Sequence, residues 1–126
     1  MTVLFKVPPP DAGMEDTLVL SAKPYENASM APGDRAFVWW SETQGGTGLA
    51  ARGVVTEAFR KGPLWQAKIK VSSEAGRRFG KEDLRPLRDS KSHEPQATLA
   101  RKLYRHSLDK VTNLDPVEER FLDSFF

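Results

Sequence analysis

The clearest alternation of apolar and polar side chains is the run LWQAKIKVS at residues 64–72. There Trp65, Ala67, Ile69 and Val71 interleave with Gln66, Lys68 and Lys70. Neighbouring side chains on a strand point to opposite faces, so this period of two predicts a half-buried strand. TVLFKV at residues 2–7 is also strand-prone and stops at Pro8-Pro9-Pro10, which cannot continue a ladder. Ala31-Pro-Gly-Asp is turn chemistry that launches a strand over residues 35–41. After the glycine-rich ETQGGTG of residues 42–48, residues 49–59 (LAARGVVTEAF) read as a strand pairing back on it. Gly53 inside that strand signals a bulge or a close backbone approach. Helical spacing comes late in the chain. QATLARKLY (96–104) predicts a helix with Leu99, Leu103 and Tyr104 inward, and a shorter one is expected at 81–84. The last element has start signals, with Asp115 as N-cap, Pro116 at the first helical position and Glu118 three after the cap. Val117, Phe121, Leu122 and Phe125 would be its apolar face. Residues 11–32 are mixed, with a short helical turn expected around 14–20. Strands joined by tight turns, followed by helices, predict one small α+β domain over residues 1–126, built as a partly closed barrel.

Composition narrows the chemistry. The 126 residues contain no cysteine and two histidines, which excludes disulfides, thiolate metal sites and a cysteine nucleophile. Neither paired carboxylates nor a metal cluster stands out, so the expected protein is not an enzyme and carries no cofactor or metal. No apolar run approaches the roughly 20 residues of a membrane span. The opening MTVLFKVPPPD does not read as a signal peptide, and the expected location is cytoplasmic. The net charge of +2 is unevenly spread. Residues 60–110 hold 14 Lys and Arg against 6 Asp and Glu, a net +8, while the remainder holds 5 against 11, a net −6. Such a basic half fits a phosphate backbone as well as it fits a solvated surface.

Three motifs carry little. QGGTG lacks the lysine and Ser/Thr of a phosphate-binding loop and precedes a strand, so it reads as a hairpin turn. Ser41 with His106 has no strand–elbow–helix context for a nucleophile. His93-Glu94 is too small a set for a metal. Two segments carry more. In GDRAFVWWS, alternation puts Phe37 and Trp39 on one face and Val38 and Trp40 on the other. Either both faces are covered, by barrel interior and late helices, or one indole lines a cleft and stacks on a flat ligand. In RKLYRHSLDK, Arg101, Lys102, Arg105 and Lys110 are interleaved with Tyr104 and His106, a mixture suited to phosphates and bases.

Together these segments resemble the EVE domain family of the PUA-like superfamily, which is related to YTH domains. GDRAFVWWS, a glycine-rich turn and GLAARGVVTEAF are similar to the central EVE hairpin. LFKVPPPD resembles its opening strand, with Lys6 on the family's lysine and Val7 and Pro8 in place of the usual serine and acidic residue. ARKLYRHSLDKVTNLDPVEERFL resembles its closing segment. The resemblance implies a PUA-like pseudo-β-barrel of about five to six strands flanked by short helices. It implies a non-catalytic reader of DNA or RNA that flips a methylated or hydroxymethylated base into an aromatic pocket. By analogy that pocket would draw on Lys6, Asn27, Trp39 or Trp40, Ser41, Tyr104, Arg105 and Ser107. Trp40, which ends the strand beside Ser41, is the expected wall. Phosphate contacts are expected at Arg77, Arg78, Arg101, Lys102 and Lys110. Cutting would need a separate nuclease or restriction component, and no membrane is expected as a partner. The alternative is a protein-interaction or small-molecule-sensing barrel of the same fold without nucleic-acid function.

Overall fold

The computed structural model describes residues 1–105 and 109–126, so His106 and Ser107 lie outside the described residues. Among the described residues there are six strands: β1 (Thr2–Val7), β2 (Thr17–Pro24), β3 (Arg35–Trp40), β4 (Gly48–Lys61), β5 (Leu64–Glu74) and β6 (Lys110–Leu114). They close into a mixed barrel in the order β1-β3-β4-β5-β2-β6. Three short α-helices, α1 (Lys81–Leu84), α2 (Pro95–Tyr104) and α3 (Pro116–Asp123), flank it, which makes the fold an α+β pseudo-barrel.

Period-two burial builds two apolar layers. Val3, Phe5, Ala36, Val38, Trp40, Leu18, Leu20, Val55 and Ile69 point into the barrel. Leu4, Phe37, Trp39, Leu49 and Leu114 point outward and meet Leu84, Leu99, Leu103 and Leu122 of the helices. β1 is therefore buried along its whole length, with β3 parallel on one side and β6 antiparallel on the other. The β3–β4–β5 meander is antiparallel, and its register shifts at Val38/Trp39, Arg52/Gly53 and Val55/Glu57. Gly53 sits at one of these shifts, where a Cβ would run into the carbonyl oxygen of Lys70. The close approach expected from sequence is the reason for this glycine.

Two elements differ from the sequence expectation. The helical turn expected at 14–20 is replaced by β2, whose Leu18, Leu20 and Ala22 face the barrel while Thr17, Val19, Ser21 and Lys23 face out. The short β6 was not foreseen, and it closes the barrel by pairing antiparallel with β1 and parallel with β2. The barrel is thus closed where a partly closed one was expected. The cap of α3 forms as expected: the Glu118 amide donates to Asp115 Oδ1 at 2.8 Å, and the Asp115 amide donates to Glu118 Oε1 at 2.9 Å. Leu122 is buried with Phe121 and Phe125 packed beside it, as expected, whereas Val117 is 52% exposed and Glu118 is fully buried.

Candidate functional site

The tryptophan pair sits on one strand but in two different layers. Trp40 is 7% exposed and belongs to the barrel interior, and Trp39 is fully buried under the helices. Both faces of β3 are covered, as the simpler of the two sequence readings requires. Trp40 nevertheless reaches the end of the barrel, where it lines a cavity of about 430 Å³ with Met14, Leu49, Ala50 and Ala75. The exposed side chains of Thr47, Glu74, Arg77 and Arg78 complete that cavity. Its wall therefore combines an apolar floor with one carboxylate and two guanidinium groups. Arg77 is steadied where it stands: it lies 4.5 Å from the Phe125 ring centroid and donates to the Ser124 carbonyl at 2.9 Å. Arg78 also lines a second, polar cavity of about 470 Å³ with Glu42, Gly46, Lys81, Glu82 and Asp83.

A second group of sequence-expected residues meets beneath α2. Lys6 is buried, donates to the Leu103 carbonyl at 2.8 Å and lies 4.4 Å from the Tyr104 ring centroid. Tyr104 donates its hydroxyl hydrogen to Glu42 Oε1 at 2.8 Å. The Trp39 indole N–H reaches the same oxygen at 3.1 Å. Glu42 Oε2 accepts from the Lys81 amide, so this carboxylate ties β3, α2 and the start of α1 together. Sequence reasoning missed Glu42, whose only signal was a lone acid following Trp39-Trp40-Ser41. Burial, and then Glu42, push the Tyr104 hydroxyl well above the ordinary tyrosine range. Burial lowers the Lys6 ammonium, against the attraction of Glu42 and Asp109. These satisfied hydrogen bonds make a structural knot rather than an open pocket.

The remaining expected residues are scattered. Ser41 is buried, and its hydroxyl is 3.1 Å from that of Thr43. Asn27 stands exposed in the left-handed turn after β2, at φ 61°, and lines neither cavity. Arg105 is exposed at the end of α2.

Among the described residues of the basic stretch 101–110, internal acceptors claim Arg101, Lys102 and Lys110. Lys102 donates to the buried Glu118 carboxylate at 2.7 Å and to the Asn113 carbonyl at 2.9 Å. Lys110 is 4% exposed and donates to the Lys102 carbonyl at 3.0 Å. With Lys6 it caps the last carbonyls of α2, which have no partner within the helix. Arg101 is half-buried and donates to the Ser90 carbonyl. Of the five residues expected on phosphate, Arg77 and Arg78 are the exposed ones.

Among the described residues no group of three or more His, Asp or Glu is placed to hold a metal ion, and no helix is long and apolar enough to cross a membrane. The chain matches no protein-family model, no curated protein and no solved structure.

Proposed function

We propose that this chain is a non-catalytic nucleic-acid-binding module, of the EVE type its sequence resembles, that takes one modified base into the Trp40 cavity. The observation that carries the reading is that cavity itself: an aromatic and aliphatic floor at a barrel end, with Arg77 and Arg78 beside it. Its volume of about 430 Å³ falls within the range of small-ligand sites, roughly 300–1,000 Å³. A base lifted from a stack must recover a few kcal/mol through apolar contact and hydrogen bonds to its edge. Met14, Leu49 and Trp40 supply the contact, including room for an added methyl or hydroxymethyl group. Glu74 supplies an acceptor for an exocyclic amine. Arg77 and Arg78 hold the flanking phosphates, where charge-assisted donors match the phosphate oxygens. Cleavage of the bound strand falls to a separate nuclease.

The test is a titration of short DNA and RNA strands, with and without methylated or hydroxymethylated cytosine and methylated adenine. Truncating Trp40 is a poor control, because emptying a core tryptophan site costs about 3–5 kcal/mol of stability. Thr47 is exposed on the cavity wall, so Thr47→Trp blocks the entrance without repacking the interior. The wild-type chain should bind one modified strand roughly tenfold or more above its unmodified counterpart, in line with about 1–3 kcal/mol for a base contact. Thr47→Trp should abolish that preference. Equal affinity for every base would reject the reading in favour of a barrel that binds protein or a small molecule.

A further inference from the structure

The helices cover only part of the barrel. Their apolar layer takes side chains from β1, β3, β4 and β6, and among the described residues none from β2 or β5. The outer face of β2, β5 and the far half of β4 is consequently left to solvent. It carries Val19, Val54 and Phe59, exposed by 59%, 38% and 52%, which are three of the five large apolar side chains exposed among the described residues. The pairing sets them in rows: Thr17, Lys70 and Val54; then Val19, Lys68 and Glu57; then Ser21, Gln66 and Phe59. Lys23, Lys68 and Lys70 make this face basic, and its acid, Glu57, is paired with Lys68 at 2.8 Å. An exposed aromatic among aliphatic and cationic side chains on an open sheet fits a ligand that is both flat and anionic.

The face is long enough for a short strand. From Val54 to Lys61, β4 covers roughly 23 Å at its ordinary rise. That length accommodates the shortest single-strand sites found on small barrels, about four nucleotides. The register shift at Arg52/Gly53 puts Glu74, which pairs with the interior Ala51, on the other side of the sheet from Lys70, so the face and the cavity are separate surfaces.

We propose that this outer face is a platform for single-stranded nucleic acid. Nucleotides lie across β4 and β5, with their phosphates over Lys70 and Lys68 and one base stacked on Phe59. The platform rests on the nucleic-acid reading given above, but as a separate surface its affinity for unmodified strands does not depend on the cavity. The recognised chemistry is a sugar–phosphate chain with accessible bases, and DNA and RNA versions of one sequence form the two arms of the test.

Phe59→Ala and the double variant Lys68→Gln/Lys70→Gln alter exposed positions only and should retain the wild-type circular dichroism spectrum. Each is compared with the wild-type chain and Thr47→Trp by fluorescence anisotropy, using ten-nucleotide strands with and without the preferred modification, and their duplexes. Both face variants should lose fivefold or more in affinity for modified and unmodified single strands alike, leaving the preference ratio intact. Wild-type affinity should be higher for single strands than for duplexes. If the face variants bind as wild type while Thr47→Trp loses the preference, the platform is wrong and the cavity reading stands. If the face variants weaken binding and Thr47→Trp changes nothing, the platform stands and the cavity reading falls. Absence of wild-type binding rejects both. A dimer that Phe59→Ala dissociates, or equal binding of anionic vesicles, would assign the face to a second copy or a lipid surface and overturn the proposal.

Discussion

Lys110 shows at the scale of one residue how the fold turned an expected surface charge inward. A lysine in a run such as RKLYRHSLDK looks like a solvated cation, but here the ammonium sits beneath the end of α2 against the Lys102 carbonyl. Burial, and secondarily Lys6, lower it from 10.5 to about 8. Below pH 8 both the folded and the unfolded chain hold this proton, and the fold carries the whole desolvation penalty. Between pH 8 and 10.5 the unfolded chain binds more protons than the folded one, so stability climbs with pH. Lys6 is displaced in the same direction and adds to the rise. Tyr104 acts oppositely: its hydroxyl is raised by burial and Glu42, so above pH 10 the unfolded chain loses a proton that the fold retains. Tyr25, which faces Lys110 at 5.2 Å, is raised too, chiefly by burial, and acts in the same direction as Tyr104. The midpoint of urea unfolding should therefore increase from pH 7.5 to 9.5 and fall again above 10. Lys110→Met should flatten most of that increase. An unchanged rise in the variant would show that Lys110 is ionised at its ordinary value.

At the scale of elements, α3 illustrates both what sequence patterns reveal and where they stop. Asp115, Pro116 and Glu118 are local signals read within one turn, and the cap they form is present. Of the expected inward face, Phe121, Leu122 and Phe125 do pack inward and only Val117 does not, while Glu118 reads from sequence as a capping residue alone. Its Oε1 meets the Asp115 amide and Lys102, its Oε2 meets the Thr98 hydroxyl at 2.7 Å, and the residue is fully buried. That partnership joins α2 to α3 across 16 residues and has no local trace. Removing one partner of a buried pair typically destabilises by about 3–5 kcal/mol. Glu118→Ala should approach that loss in chemical denaturation, and Asp115→Ala, which removes only a cap, should cost about 1 kcal/mol. Equal losses would mean the buried pair adds nothing beyond capping. The same distinction explains the strands. β1, β3, β4 and β5 carry strong alternation or turn punctuation and were legible. In β2, Val19 between Leu18 and Leu20 breaks the alternation because its outward position lies on the uncovered face. β6 is five residues long and exists through its pairing with β1 and β2, which only the closed barrel reveals.

For the whole molecule, the basic segment read from the sequence divides into charges used inside and charges left outside. Lys102 and Lys110 hold helices and strands together, whereas Arg77 and Arg78 stand at the cavity and Lys68 and Lys70 on the uncovered face. The site was legible to the same degree. Trp40 does line a cavity, but Lys6, Trp39 and Tyr104 converge on a closed hydrogen-bonded knot that no spacing rule distinguishes from a pocket. Alternation identifies which side chains share a face, and only the packed helices decide which face stays open. This division makes a prediction about salt. Each phosphate neutralised on a single strand contributes about −0.7 to the slope of log affinity against log salt, because condensed counterions are released. Arg77→Gln/Arg78→Gln should therefore reduce the steepness of that slope by up to about 1.4, from two contacts at about 0.7 each. Lys102→Gln should leave the slope unchanged, since its ammonium serves Glu118, while lowering resistance to urea. The pair of variants separates electrostatic binding from folding within one basic segment. Should Lys102→Gln flatten the slope while the arginine variant does not, phosphate would lie against α2, and the cavity would no longer mark the path of the strand.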